Sequence, residues 1–227
     1  MIPAERRLQE VRFRIAAACA RARRAPSEVT LVAVTKTVPP ERIAELVRAG
    51  HRQLGENRVQ EALEKIDILG PGLEWHLVGH LQRNKVRAAV GRFTLIHSVD
   101  GPELARELDR RAAVAGVVQP VLVQANLAEE TTKHGAGEPA VVPLAEEIAS
   151  LEHLELRGLM IIPPPSHDPE EARPWFRRLA ELRETASRRV GRALPDLSMG
   201  MTDDFEVAIE EGATLVRVGR ALFGERR

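Results

Sequence analysis

Lysine is the scarce cation of this chain. Only Lys36, Lys65, Lys85 and Lys133 stand against 29 arginines. Of the two residue types, lysine alone can shed its proton and condense with an aldehyde, because a guanidinium stays protonated. Lys36 directly follows the run Leu31-Val32-Ala33-Val34-Thr35, which predicts a place at the carboxyl end of a strand. An apolar rim there would lower the amine's pKa by desolvation and leave it able to attack a carbonyl. On position alone, a solvated lysine at a strand terminus is the better reading.

Two later segments change the balance. Ser198-Met199-Gly200-Met201-Thr202 joins a strand candidate to a helix opened by Thr202, Asp203 and Asp204. Its small residues would bare backbone N–H groups to an anion near a helix N-terminus, although the acids oppose a phosphate lying directly on that end. A plain turn with Thr202 or Asp203 as N-cap accounts for the same residues. Arg217 lies inside the apolar run Val216–Val218, so it must meet a carboxylate, a carbonyl or a ligand. An ion pair with Glu56 across a barrel mouth is the structural alternative. Gly219 after it lets the backbone approach something bulky, and Arg220 follows. His76 and His80 are four residues apart on an extended segment, about 13 Å, too far to share an ion. Lys133-His134-Gly135 and Lys85 read as solvated loop and helix positions, and no dinucleotide, P-loop or zincin pattern accompanies them.

Elements that would position these residues alternate along the chain. Eight strand candidates are Thr30–Thr35, Gln53–Gly55, Glu74–Val78, Thr94–His97, Pro120–Asn126, Leu156–Ile161, Asp196–Ser198 and Thr214–Val218. Helical patterns lie between them, with Ala4–Ala22 as one extra helix before the first strand. Asn57 with Gln60 reads as a helix-capping pair, and Glu61 with Lys65 as an exposed i,i+4 pair. Eight alternations in 227 residues favour one closed α/β barrel, a (β/α)8 TIM barrel spanning residues 1–227 as a single domain, over an open doubly wound sheet. Chemistry in such a barrel gathers beyond the carboxyl ends of its strands.

Composition removes several classes of function. A formal net charge of +0 lacks the broad field that nucleic acid or acidic membranes require. The single Cys19 excludes a disulfide framework and a multi-cysteine zinc site. No secretory leader or membrane-spanning run is present in the sequence, so a cytoplasmic location is expected.

The segments LVAVTKTVP around Lys36, GENRVQEALEKI from Gly55, EWHLVGHLQRNK from Glu74 and LSMGMTDDFEVAIEEGATLVRVGRALFG from Leu197 together resemble the pyridoxal phosphate homeostasis protein family. The resemblance spans nearly the whole chain. It implies a fold-type III barrel like the N-terminal domain of alanine racemase, with pyridoxal 5'-phosphate as cofactor and Lys36 as its Schiff-base lysine. It also implies Asn57 near the cofactor and a phosphate loop at Ser198, Met199, Gly200 and Gly219. Arg217 would face the pyridine nitrogen. Arg220 stands where relatives carry a small or hydroxyl residue, which leaves its backbone N–H as the phosphate contact. Arg58 and His80 replace a common tyrosine and proline at the rim.

The function expected is buffering of intracellular pyridoxal 5'-phosphate and its delivery to apoenzymes by a monomer, without turnover. The chain has no tyrosine and no second domain to bring an opposing base, and racemisation needs acid–base groups on both faces of a carbanion. An amino-acid racemase or lyase using the same lysine is the enzymatic alternative, and a cofactor-free Schiff-base aldolase is a third.

Overall fold

The computed structural model describes residues 3–128 and 134–224, so Lys133 lies outside the described residues. Its strands are β1 (Thr30–Val34), β2 (Gln53–Glu56), β3 (Glu74–Leu77), β4 (Leu95–Val99), β5 (Gln119–Asn126), β6 (Ala136–Gly137), β7 (Leu154–Ile161), β8 (Asp196–Ser198) and β9 (Leu215–Val218). They run in the order β4-β3-β2-β1-β9-β8-β7-β5, and pairing of β4 with β5 closes the barrel. Every pairing is parallel. All eight predicted strands are present, their ends shifted by at most two residues. The two-residue β6 is an addition that pairs only with the far end of β5.

Alternation along each strand divides the apolar residues into two clusters. The larger lies between barrel and helices. The smaller, Val32, Val34, Val78, Leu95, Leu122, Met160 and Leu215, fills the barrel itself. Two residues beyond these inner positions, toward the strand carboxyl ends, come the polar Lys36, His97, Gln124 and Arg217, with Ile162 as an apolar exception. An apolar plug thus carries a polar layer directly above it. Gly55 shares this interior: a Cβ there would sit 2.8 Å from the Val32 side chain.

The extra N-terminal helix is α1 (Ala4–Arg21). Leu8, Val11, Ile15 and Ala18 form its buried stripe at helical spacing. It lies against α8 (Phe205–Glu210) through Arg14–Glu206 at 2.9 Å, while Arg24, just past the helix, donates to the carbonyls of Ile209 and Ala213. This covers the seam where β1 meets β9. Among the described residues, no helix is long and apolar enough to cross a membrane.

Candidate functional site

A cavity of about 330 Å³ opens at the carboxyl ends of β1, β2 and β9. Lys36 and Val34 line it from β1, Asn57 from the end of β2, and Arg217, Gly219 and Arg220 from β9 and its following turn. Met201, Thr202 and Asp203 form the wall between β8 and α8. Five of the residues singled out in the sequence therefore share one cavity. Ser198, Met199 and Gly200 are not among its lining. Ser198 and Met199 are fully buried, and Gly200 forms the turn behind the wall, at φ +90°. Thr202 and Asp203 were legible only as helix-opening residues. Here they face the cavity, and Asp203 forms an ion pair with Arg220. Asp204 caps the turn by accepting from the Met201 N–H at 2.6 Å.

A buried polar clamp fixes the backbone on both sides of Lys36. Lys65, on α3 (Val59–Leu69), donates from Nζ to the Thr35 carbonyl at 2.7 Å, to Glu56 at 2.6 Å and to Glu61 at 2.7 Å. Thr35 Oγ1 donates to the same Glu56 carboxylate, and the Thr37 N–H donates to Glu61, each at 2.6 Å. Thr37 holds φ +61°, a left-handed conformation that non-glycine residues adopt only where their surroundings enforce it.

Three expectations are corrected here. Lys65 and Glu61 pair as expected, but Lys65 is only 5% exposed, because it turns inward to satisfy Glu56. Glu56 meets Lys65, not Arg217. Asn57 does not cap α3: its N-cap is Arg58, with no side-chain cap bond, and Arg58 is exposed. Burial pushes the Glu56 carboxyl upward against the pull of its Lys65 and Thr35 hydrogen bonds.

Arg217 is buried at the cavity floor and pairs with no carboxylate among the described residues. Its Nη1 donates to Ser198 Oγ at 2.6 Å and its Nη2 to the Ile161 carbonyl at 2.8 Å. Burial lowers its pKa to about 10, with Asp204 opposing, so it stays charged at neutral pH. Ser198 contacts His97 Nδ1 at 2.8 Å, and His97 Nε2 contacts His76 Nδ1 at 2.9 Å. Since Arg217 can only donate, Ser198 can pass its own hydrogen to His97 and fix both rings as neutral tautomers. Sequence spacing set His76 and His80 too far apart to share an ion and named no partner for His76. Its partner is His97 on the neighbouring strand.

These rings predict acid lability. Burial holds His76 and His51 down to about 4, and His97 well below the usual imidazole value. A folded pKa below the unfolded one means that the unfolded chain takes up more protons between about pH 6.5 and 4. Stability is therefore full above pH 6.5 and falls with acidification through that window. Each ring contributes up to about 1.4 kcal/mol per pH unit. Denaturant midpoints measured across this range should drop steadily, and His76→Gln should flatten the slope.

Comparison with known proteins places this geometry. The alanine racemase N-terminal domain family matches residues 7–227. A protein of Aquifex aeolicus named pyridoxal phosphate homeostasis protein is 48% identical over 222 residues, covering 97% of each chain. The structure of PipY from Synechococcus elongatus with PLP bound is 38% identical, covers 92% of this chain and 100% of its own, and superposes with a TM-score of 0.80. Alanine racemase of Clostridium difficile, 15% identical, shares the fold over 99% of this chain and 57% of its own, with a TM-score of 0.72. Identity at this level along nearly the full length, on a closed barrel of the same architecture, means that the chain belongs to the pyridoxal phosphate homeostasis protein family, within the alanine racemase N-terminal domain fold.

Proposed function

We propose that the chain binds pyridoxal 5'-phosphate as a Schiff base on Lys36 and buffers it for delivery to apoenzymes, as a cytoplasmic monomer acting through one barrel unit. The observation that carries this reading is the convergence of Lys36, Asn57, Arg217 and the Gly219-Arg220 turn on one cavity. The residues fit the group. The cavity lies at the lower end of the roughly 300–1,000 Å³ typical of small-molecule sites. It also offers a primary amine, a fixed guanidinium and a second cation at the rim. PipY, its relative, is known with PLP bound. The one cysteine, Cys19, is buried and unpaired, which suits a reducing compartment.

When bound, the cofactor supplies an aldehyde that condenses with an amine and a conjugated ring that withdraws electrons. Lys36 supplies the amine, and the Lys65 and Glu61 contacts to Thr35 and Thr37 fix where its backbone stands. Arg217 donates hydrogen bonds and cannot accept a proton, so a ring nitrogen facing it stays unprotonated and the ring stays a weak electron sink. Ser198 acts from below, orienting Arg217 instead of touching the phosphate. Arg220 is engaged by Asp203, so a phosphate at that rim competes with Asp203 for its guanidinium. Lys36 has no tyrosine to oppose it, which supports retention of the cofactor without racemisation.

Borohydride reduction of the purified, cofactor-loaded protein followed by peptide mapping tests the assignment. The pyridoxyl adduct is expected on Lys36 and absent from Lys36→Ala. An adduct confined to Lys65, Lys85 or Lys133, or no adduct, overturns it. Sustained turnover of an amino acid by the purified protein would replace buffering with catalysis.

A further inference from the structure

Beside the main cavity, three metal-ligating side chains meet at the barrel mouth. His80, Asp100 and His134 bring one ligand atom each to within 4.8 Å of the others. His80 and His134 line a second cavity of about 230 Å³ together with Gln124 and Asn126. This cavity shares Asn57, Val78 and Ile162 with the first.

Topology assembles the trio. His80 lies just past β3, Asp100 directly after β4, and His134 in the connection between β5 and β6. All three sit at the carboxyl ends of adjacent strands, the face where barrels place chemistry. Their positions are held by the scaffold. The His134 carbonyl accepts from Gln124 Nε2 at 2.8 Å. Gly135 presses so close to β5 that a Cβ there would come 2.9 Å from the Ala125 and Asn126 backbone. The helix after Asp100, α5 (Pro102–Ala115), has Gly101 as its N-cap and takes no side-chain cap. The Asp100 carboxylate turns instead to His80, with Oδ2 3.3 Å from Nδ1.

We propose that His80, Asp100 and His134 form a binding site for a zinc-like divalent cation, with the remaining coordination positions open to water and the adjoining cavity. In a tetrahedral zinc site with bonds of about 2.0–2.1 Å, neighbouring ligand atoms lie about 3.3 Å apart, which is the His80–Asp100 separation already present. Two imidazoles and one carboxylate suit zinc, cobalt or nickel, whereas magnesium and calcium require oxygen-rich sets. The rings of His80 and His134 stack at 3.6 Å with planes only 7° apart. A nitrogen lone pair lies in the plane of its ring, so two parallel rings cannot both aim at one ion. Binding therefore turns one ring out of the stack and draws its nitrogen inward. The sequence reading missed the site because it weighed His80 as a metal ligand only against His76, four residues away along the chain.

Equilibrium dialysis of chelator-treated full-length protein against zinc, with elemental analysis, tests the proposal. Cobalt serves as the spectroscopic probe. The expected result is one equivalent of zinc, insensitive to millimolar magnesium, and a visible cobalt band of low-coordinate intensity. His80→Ala, His134→Gln and Asp100→Asn should each weaken zinc by more than the roughly 10–100-fold lost when only a supporting contact is removed, while keeping the wild-type circular dichroism spectrum. Lys36→Ala should bind the same equivalent, so failure of the cofactor assignment and failure of this site are separable. No zinc on the wild-type chain, or zinc retained by a His80→Ala/His134→Gln double variant, overturns the proposal. Retention by the double variant would place the ion at another histidine, such as His153 or His167.

Discussion

Replacing Lys65 with alanine is expected to lower folding stability by about 3–5 kcal/mol, the usual cost of leaving one partner of a buried ion pair alone. The reason is the surroundings of Glu56. Its carboxylate is fully buried, and its hydrogen-bond donors are Lys65 Nζ, Thr35 Oγ1 and its neighbour's Asn57 N–H. Removing Lys65 leaves that charge facing one neutral hydroxyl and one backbone amide, and frees the Thr35 carbonyl as well. Against a total stability of about 5–15 kcal/mol, the loss is a large share, and denaturant melts will show it directly. The Glu56→Gln/Lys65→Met double variant should recover most of it, because a neutral amide still accepts from Thr35 while no charge remains buried. A single-variant loss below about 1 kcal/mol would fit an exposed pair and contradict the clamp. The functional consequence follows from position. Thr35 and Thr37 flank Lys36, so even folded Lys65 variants should form the proposed adduct on Lys36 more slowly.

Gly200→Ala is the second large effect. Gly200 holds φ +90°, which strains an alanine by about 1–3 kcal/mol. A Cβ there would meet the Ala208 Cβ at 2.6 Å and the Phe205 Cα at 2.8 Å, at the start of α8, adding about 1–3 kcal/mol of overpacking. A combined loss of about 2–6 kcal/mol is expected. Gly212→Ala separates the two causes. Gly212 has φ +97°, but the nearest atom to an added Cβ is 4.0 Å away, so it should show the backbone cost alone. Relief of the crowding at Gly200 would push α8 outward and move Met201 to Asp203, the wall of the cavity. Cofactor retention should therefore fall in Gly200→Ala and hold in Gly212→Ala.

Strand placement was readable from β-branched runs, and Lys36, Asn57, Arg217, Gly219 and Arg220 meet because inward alternation at strand ends is itself a sequence pattern. What alternation cannot show is which buried polar groups find each other. Lys65 has helix-surface spacing with Glu61, and only the packing of α3 over the end of β1 reveals that it faces inward. Ser198 looked like part of an anion-binding turn because the turn begins at Gly200, one residue beyond Met199. Its strand position points the hydroxyl into the barrel, under Arg217. His97 carried no local signal at all. Its partners are His76 on the neighbouring β3 and Ser198 on β8, which is reached across the barrel interior and not by spacing in the chain.

The covering of the β1–β9 seam by α1 also sets when the molecule can become whole during its own manufacture. The helix that carries the buried stripe of Leu8, Val11, Ile15 and Ala18 packs on the helices at 205–210 and 220–223, so α1 must wait for segments synthesised roughly 200 residues after it. At about 5–20 residues per second, that delay is roughly 10–40 s. Throughout it the nascent barrel exposes an open sheet edge at β1, a natural client for chaperones that shield unpaired strands.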